Sequence, residues 1–243
     1  MSVLGEPLAG FDGDRAILIG CAHGTRDEDG QATVLRVIAD IRAALPDHDV
    51  REAYVDVHGP HVREVVEAIE PAAEGTSAVV VPLLLAGGYH VYHDIAQAVE
   101  DREDVSPAPA LGPDPRLIEI VLERVHEAGV PETATLVLAA AGSSDPRSQA
   151  DTAEAAEMLR AAWSGPVRIG YAAGIHPTVD DAVEEARAFG EDGVVAVASF
   201  LLAPGFFQKR LADAGADYVT APLAPHPKIV DIVLERYRDA GGA

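Results

Sequence analysis

The chain has 243 residues, 48% hydrophobic and 24% charged, enough for one large core or two small ones. Its 18 Lys and Arg against 40 Asp and Glu leave a formal charge of -22, a surface that repels phosphate backbones and argues against nucleic-acid partners. A single cysteine, Cys21, rules out an intramolecular disulfide and suits a reducing cytoplasm. No apolar run approaches the ~20 residues of a membrane span, and Met1 to Asp14 lacks the basic and apolar regions of a secretory signal.

Apolar runs alternate with helical patterns along the whole chain, which predicts βα units and a mostly parallel sheet. In the first half, strands are expected at 17–22, 50–56, 78–85 and 105–110, with helices at 28–45, 61–73, 91–101 and 114–128. A linker at 127–133 follows. The pattern then restarts, with strands at 135–141, 167–172, 193–202 and 217–221 and helices at 146–163, 178–189, 205–214 and 226–240. The repeat is visible in the residues themselves. Ile120-Val121-Leu122-Glu123-Arg124 recurs as Ile232-Val233-Leu234-Glu235-Arg236, each after a proline-bearing turn at 111–116 or 223–228. The expected architecture is α/β: two tandem domains, 1–129 and 130–243, each a small four-stranded parallel sheet flanked by helices, with a cleft between them.

Chemistry-bearing residues gather at the predicted carboxyl edge of the first sheet, where open α/β sheets bind ligands. His23 follows the first strand, Asp56 ends the second and His90 follows the third. Two imidazoles and a carboxylate suit a borderline divalent ion such as cobalt, iron, nickel or zinc, and they leave coordination positions open. The imidazoles could equally accept protons near neutral pH. Each residue also has a plainer reading. His23 could be a capping or core histidine at a strand end, Asp56 could be a turn or helix-cap aspartate, and His93 could be a third ligand or an exposed helix residue. His58 and His61 read as surface turn residues. In the second half Ala141 stands in the place of His23 and Phe207 in the place of His90. Phe206 and Phe207 could wall a ligand or fill the core. Lys209 and Arg210 follow them as a local positive site on an acidic protein.

Other chemistries fit poorly. His23-Gly24-Thr25-Arg26 has Ala22 where a histidine phosphatase carries arginine. No phosphate-binding glycine loop is present, and Gly142-Ser143-Ser144 lacks the flanks of a nucleophile elbow.

Ala22-His23-Gly24-Thr25-Arg26-Asp27, followed by Leu83-Leu84-Leu85-Ala86-Gly87-Gly88-Tyr89-His90-Val91-Tyr92-His93-Asp94-Ile95, resembles the class II tetrapyrrole chelatases. The similarity is greatest to their sirohydrochlorin branch, which inserts cobalt or ferrous iron in cobalamin and siroheme synthesis. The Gly-x-His-Val-x-x-Asp-Ile string is the more specific signal. The match is strong over about residues 15–125, and the repeat extends it to the long, two-domain form. The resemblance implies that His23 and His90 bind metal and accept protons. It places Asp56 where the family commonly has glutamate. It implies a tetrapyrrole and a divalent metal (Co²⁺ or Fe²⁺, with Ni²⁺ or Zn²⁺ also suited) as substrates, and the local positive site at Lys209 and Arg210 is expected to orient the ring's carboxylates. It also implies no organic cofactor and no ATP, and the internal duplication itself suits a monomer with an internal repeat. A non-catalytic metal or tetrapyrrole carrier on the same scaffold is the second reading, and a divergent hydrolase the third.

Overall fold

The computed structural model describes residues 15–72, 75–88, 90–189 and 193–242, with the backbone alone for 90–92 and 189. Two all-parallel four-stranded sheets are present. The first has the order β2-β1-β3-β4, from β1 (Ile17–Ala22), β2 (Val50–Tyr54), β3 (Ala78–Pro82) and β4 (Val105–Pro107). The second repeats it as β6-β5-β7-β8, from β5 (Thr135–Ala140), β6 (Val167–Tyr171), β7 (Val195–Phe200) and β8 (Tyr218–Val219). The inner strands β3, β5 and β7 are buried at every residue, and β1 at all but its first. Strands covered on both faces need continuous apolar runs, and this is why they were legible. The edge strands β2 and β6, Val-Arg-Glu-Ala-Tyr and Val-Arg-Ile-Gly-Tyr, carry polar residues instead and are only partly covered.

The helices begin where local chemistry tells them to. Helix α1 (Glu28–Ala44) starts at Asp27, whose carboxylate accepts the Gly30 N–H at 3.1 Å. Helices α4 (Pro115–Glu127), α5 (Pro146–Ala162) and α8 (Pro227–Asp239) each combine a side-chain cap, from Asp114, Asp145 and His226, with proline in the first turn. Helix α2 (Val62–Glu67) is shorter than the 61–73 expected. The helix expected over 91–101 is wound as a π turn over His90–Ile95, then one α turn, α3 (Ala96–Val99). The equivalent segment of the second half, α7 (Phe206–Ala212), is regular. Helix α6 (Val179–Phe189) completes the set.

One core joins the halves. Leu18, Ile38, Ile41 and Leu117 from the first half pack in the same cluster as Leu138, Leu159, Ile232 and Tyr237 from the second. Helices α1, α4, α5 and α8 thus form a shared layer between the sheets. The outer faces carry separate clusters, α2 and α3 on the first sheet and α6 and α7 on the second. The recurring Glu-Arg pair lies at this junction. Arg124 donates to the carbonyls of Pro222, Leu223 and Pro225, and Arg236 donates to those of Ala110 and Leu111. Each half therefore holds the turn before the other half's last helix.

Candidate functional site

The strand order β2-β1-β3-β4 sends the chain from β1 toward one side of the sheet and from β3 toward the other. The crevice beyond the carboxyl ends of β1 and β3 is then the switch point at which such sheets bind ligands. His23 follows β1 directly and is exposed, and the π turn that begins at His90 follows β3. The His90 side chain lies outside the described residues.

Asp56 reaches the same edge by continuing the β1–β2 pairing past the strand ends. The Val55 amide donates to Ala22 O, and the Asp56 amide donates to His23 O, both at 3.0 Å. His23 and Asp56 are therefore neighbours across two strand ends, although 33 positions apart in the sequence. Gly24 makes the approach feasible. Its φ is +95°, and a Cβ there would lie 2.2 Å from the Asp56 carbonyl oxygen. His23 Nδ1 lies 3.2 Å from Gly24 O, a contact that suits the Nδ1–H tautomer and puts the lone pair on Nε2. The Asp56 carboxylate accepts the Val57 N–H at 2.7 Å, and the His58 N–H returns to Asp56 O at 2.8 Å, closing a tight turn around Val57.

The remaining candidates have defined places. His93 and Asp94 are half-buried on the π turn. His58 lies on Tyr54, with ring centroids 4.0 Å apart. His61 starts α2, its amide donating to Glu64 at 3.0 Å. Cys21 is buried in β1, where burial and then the Asp94 charge push its thiol up to about 12. Among the described residues no three His, Cys, Asp or Glu side chains form a group that could hold an ion.

A family model described as CbiX matches residues 17–128 and again 135–240. The chain belongs to the CbiX family. Over 155 residues it is 30% identical to a sirohydrochlorin ferrochelatase of Priestia megaterium, covering 60% of this chain and 57% of that protein. Over 135 residues it is 32% identical to a sirohydrochlorin cobaltochelatase of Methanothermobacter thermautotrophicus, covering 46% of this chain and 90% of that one. The matched region is thus little more than half of the first relative's length. The structure of SirB from Bacillus subtilis with Fe³⁺ has the same fold, with a TM-score of 0.75, 20% identity, and coverage of 93% of this chain and 96% of that one.

Within this CbiX-family chain the second sheet preserves the edge and lacks the donors. Gly142 repeats the φ of +95°, and its Cβ would meet the Ala173 carbonyl at 2.0 Å, as Gly24 meets Asp56. Ala141, Ala173 and Phe207 therefore stand at the positions of His23, Asp56 and His90, and none has a side chain able to coordinate an ion. Phe206 and Phe207 do not fill the core. They are 69% and 37% exposed, with ring centroids 5.8 Å apart. Their helix adjoins the His23 loop, since a Cβ on Gly30 would lie 2.5 Å from Pro204 O and one on Gly205 3.6 Å from Thr25 Oγ1.

Lys209 crosses from α7 to the first half and binds Asp27 at 2.5 Å. The Lys209 hydrogen bond, and then the Gly30 amide, hold the Asp27 carboxyl below the usual range. Arg210 is exposed beside it. Asp27 caps α1, and its second partner, 182 residues away, leaves no local signal in the sequence.

Proposed function

We propose that this chain inserts a divalent metal ion, cobalt or ferrous iron, into a sirohydrochlorin-type tetrapyrrole. The observation that carries the reading is the contrast between equivalent edges. One has His23 beside Asp56, with His90 following β3, and the other has Ala141, Ala173 and Phe207. The names of the relatives supply the substrate class.

Insertion requires the ion to shed water while the ring loses two pyrrole protons. In this reading His23 and His90 hold the ion on one face and take up those protons, and Asp56 balances charge at the rim. Phe206 and Phe207 form an apolar wall for the macrocycle. Arg210 orients peripheral carboxylates, together with Lys209, for which a substrate carboxylate would compete with Asp27. Nickel and zinc suit the same donors. The reading includes no ATP or organic cofactor, and a cytoplasmic monomer in which 1–129 carries the ligands and 130–243 is a pseudo-repeat.

The test is anaerobic insertion of Co²⁺ or Fe²⁺ into sirohydrochlorin by the full chain without ATP, with the spontaneous rate subtracted. The wild type should accelerate insertion. His23→Ala or His90→Ala should lower the rate roughly 100-fold or more with the circular dichroism spectrum unchanged, and Asp56→Ala should lower it less. A His23→Ala, His90→Ala double variant as fast as wild type would overturn the mechanism. Ring binding without turnover would establish the carrier reading, which the persistence of the fold in a half without donors supports.

A further inference from the structure

Val57 occupies a conformation that its side chain disfavours. Its φ is +67°, and it is the non-glycine residue with positive φ among the described residues. The His58 N–H to Asp56 O bond across it makes a γ-turn of the strained, positive-φ kind. For a β-branched residue this is a genuine outlier. Such strain persists only where the surroundings impose it, and it clusters at functional sites.

The second half shows that the turn itself does not require the strain. Ile175 N–H donates to Ala173 O at 3.0 Å around Gly174, which adopts φ +82°. The same turn is thus built with the residue that takes positive φ without steric conflict. What distinguishes the first half is that it keeps an apolar side chain there, 37% exposed, beside Asp56 and one strand end from His23. The side chain lies against the His23 loop, since a Cβ on Gly24 would come 3.3 Å from Val57 Cβ. The strained valine accompanies the donor residues, and the unstrained glycine accompanies the edge that lacks them.

Resting on the chelatase reading, we propose that Val57 is a substrate-positioning residue whose side chain contacts the face of the tetrapyrrole and seats it over the His23–Asp56 edge. A tetrapyrrole combines an apolar ring face with a carboxylate rim, so an exposed valine can take the face and leave the rim to cations. Burying most of one valine side chain under the ring corresponds to roughly tenfold in affinity.

The test titrates metal-free sirohydrochlorin into the full chain anaerobically, following ring fluorescence, alongside thermal unfolding. Val57→Gly and Val57→Asn both accept positive φ and remove the apolar surface. Each should weaken ring binding roughly tenfold with Tm unchanged or raised. Val57→Ile should bind as wild type does. Wild-type affinity in the glycine and asparagine variants would overturn the inference while leaving the chelatase reading intact. So would loss of affinity accompanied by a fall in Tm, which would assign Val57 to packing. A wild-type chain that binds no ring would overturn the chelatase reading and the inference with it.

Discussion

Asp104 shows how much one carboxylate organises away from the site. It takes two hydrogen bonds from Arg102, at 2.8 and 2.9 Å, and others from Ser77 Oγ and the Ala72 amide. Arg102 also donates to the Val66 and Ile69 carbonyls at the end of α2. The Arg102 hydrogen bonds, with Ser77 and the Ala72 amide behind them, hold the Asp104 carboxyl well below the usual range against the opposing effect of burial. A depressed folded-state pKa contributes stability above the unfolded value of about 4, and that contribution is lost as pH falls through the folded value. Asp104→Asn should therefore cost about 2 kcal/mol at pH 7. The difference from wild type should shrink progressively below about pH 4. Urea unfolding of both proteins from pH 7 to pH 2.5 checks this, and a difference independent of pH would contradict it.

At the scale of elements, the turns after β1 and β5 make a matched pair for separating fold from function. Gly24 and Gly142 share φ +95° and the same close approach to a neighbouring carbonyl. Gly24→Ala and Gly142→Ala should each destabilise by about 1–3 kcal/mol, since both the conformation and the contact are lost. Gly24→Ala alone should also depress metal insertion, because it displaces Asp56 from His23. Equal loss of insertion in the two variants, measured well below both melting temperatures, would argue against the first edge as the working one. The elements differ in legibility for physical reasons. Buried strands and proline-capped helices such as α4 and α8 carry local signals that survive without tertiary context. The π turn over His90–Ile95 does not, because its Val-Tyr-His-Asp-Ile residues read as ordinary helix and only the backbone shows the wider winding. The last strands of both sheets are also shorter than expected, three and two residues.

At the scale of the molecule, the shared core and the reciprocal arginines predict that the halves unfold together. Arg124 and Arg236 each bind carbonyls of the opposite half, and both are largely covered, at 16% exposure. Arg124→Ala or Arg236→Ala strands those carbonyls and should cost about 2 kcal/mol. The chain's one tryptophan, Trp163, is buried in the second half with its Nε1–H bonded to Ala134 O, so its fluorescence reports that half. In both variants the fluorescence and far-ultraviolet circular dichroism transitions should shift together. Two separated transitions would show that the halves are independent folding units.

The sequence by itself determined the α/β class, the duplication and the candidate residues His23, Asp56 and His90. Continuous apolar runs, capping residues and a repeated Ile-Val-Leu-Glu-Arg string are all written in neighbouring positions. Tertiary structure decided what those residues meet. The bond from the Asp56 amide to His23 O depends on strand register, the Lys209–Asp27 pair on how α7 crosses to α1, and the exposure of Phe206 and Phe207 on where that helix begins against the other half. The Glu-Arg string was legible as a repeat mark, but its role as a clasp between halves was not, because a side chain carries no record of the distant carbonyl it will bind until the core has packed.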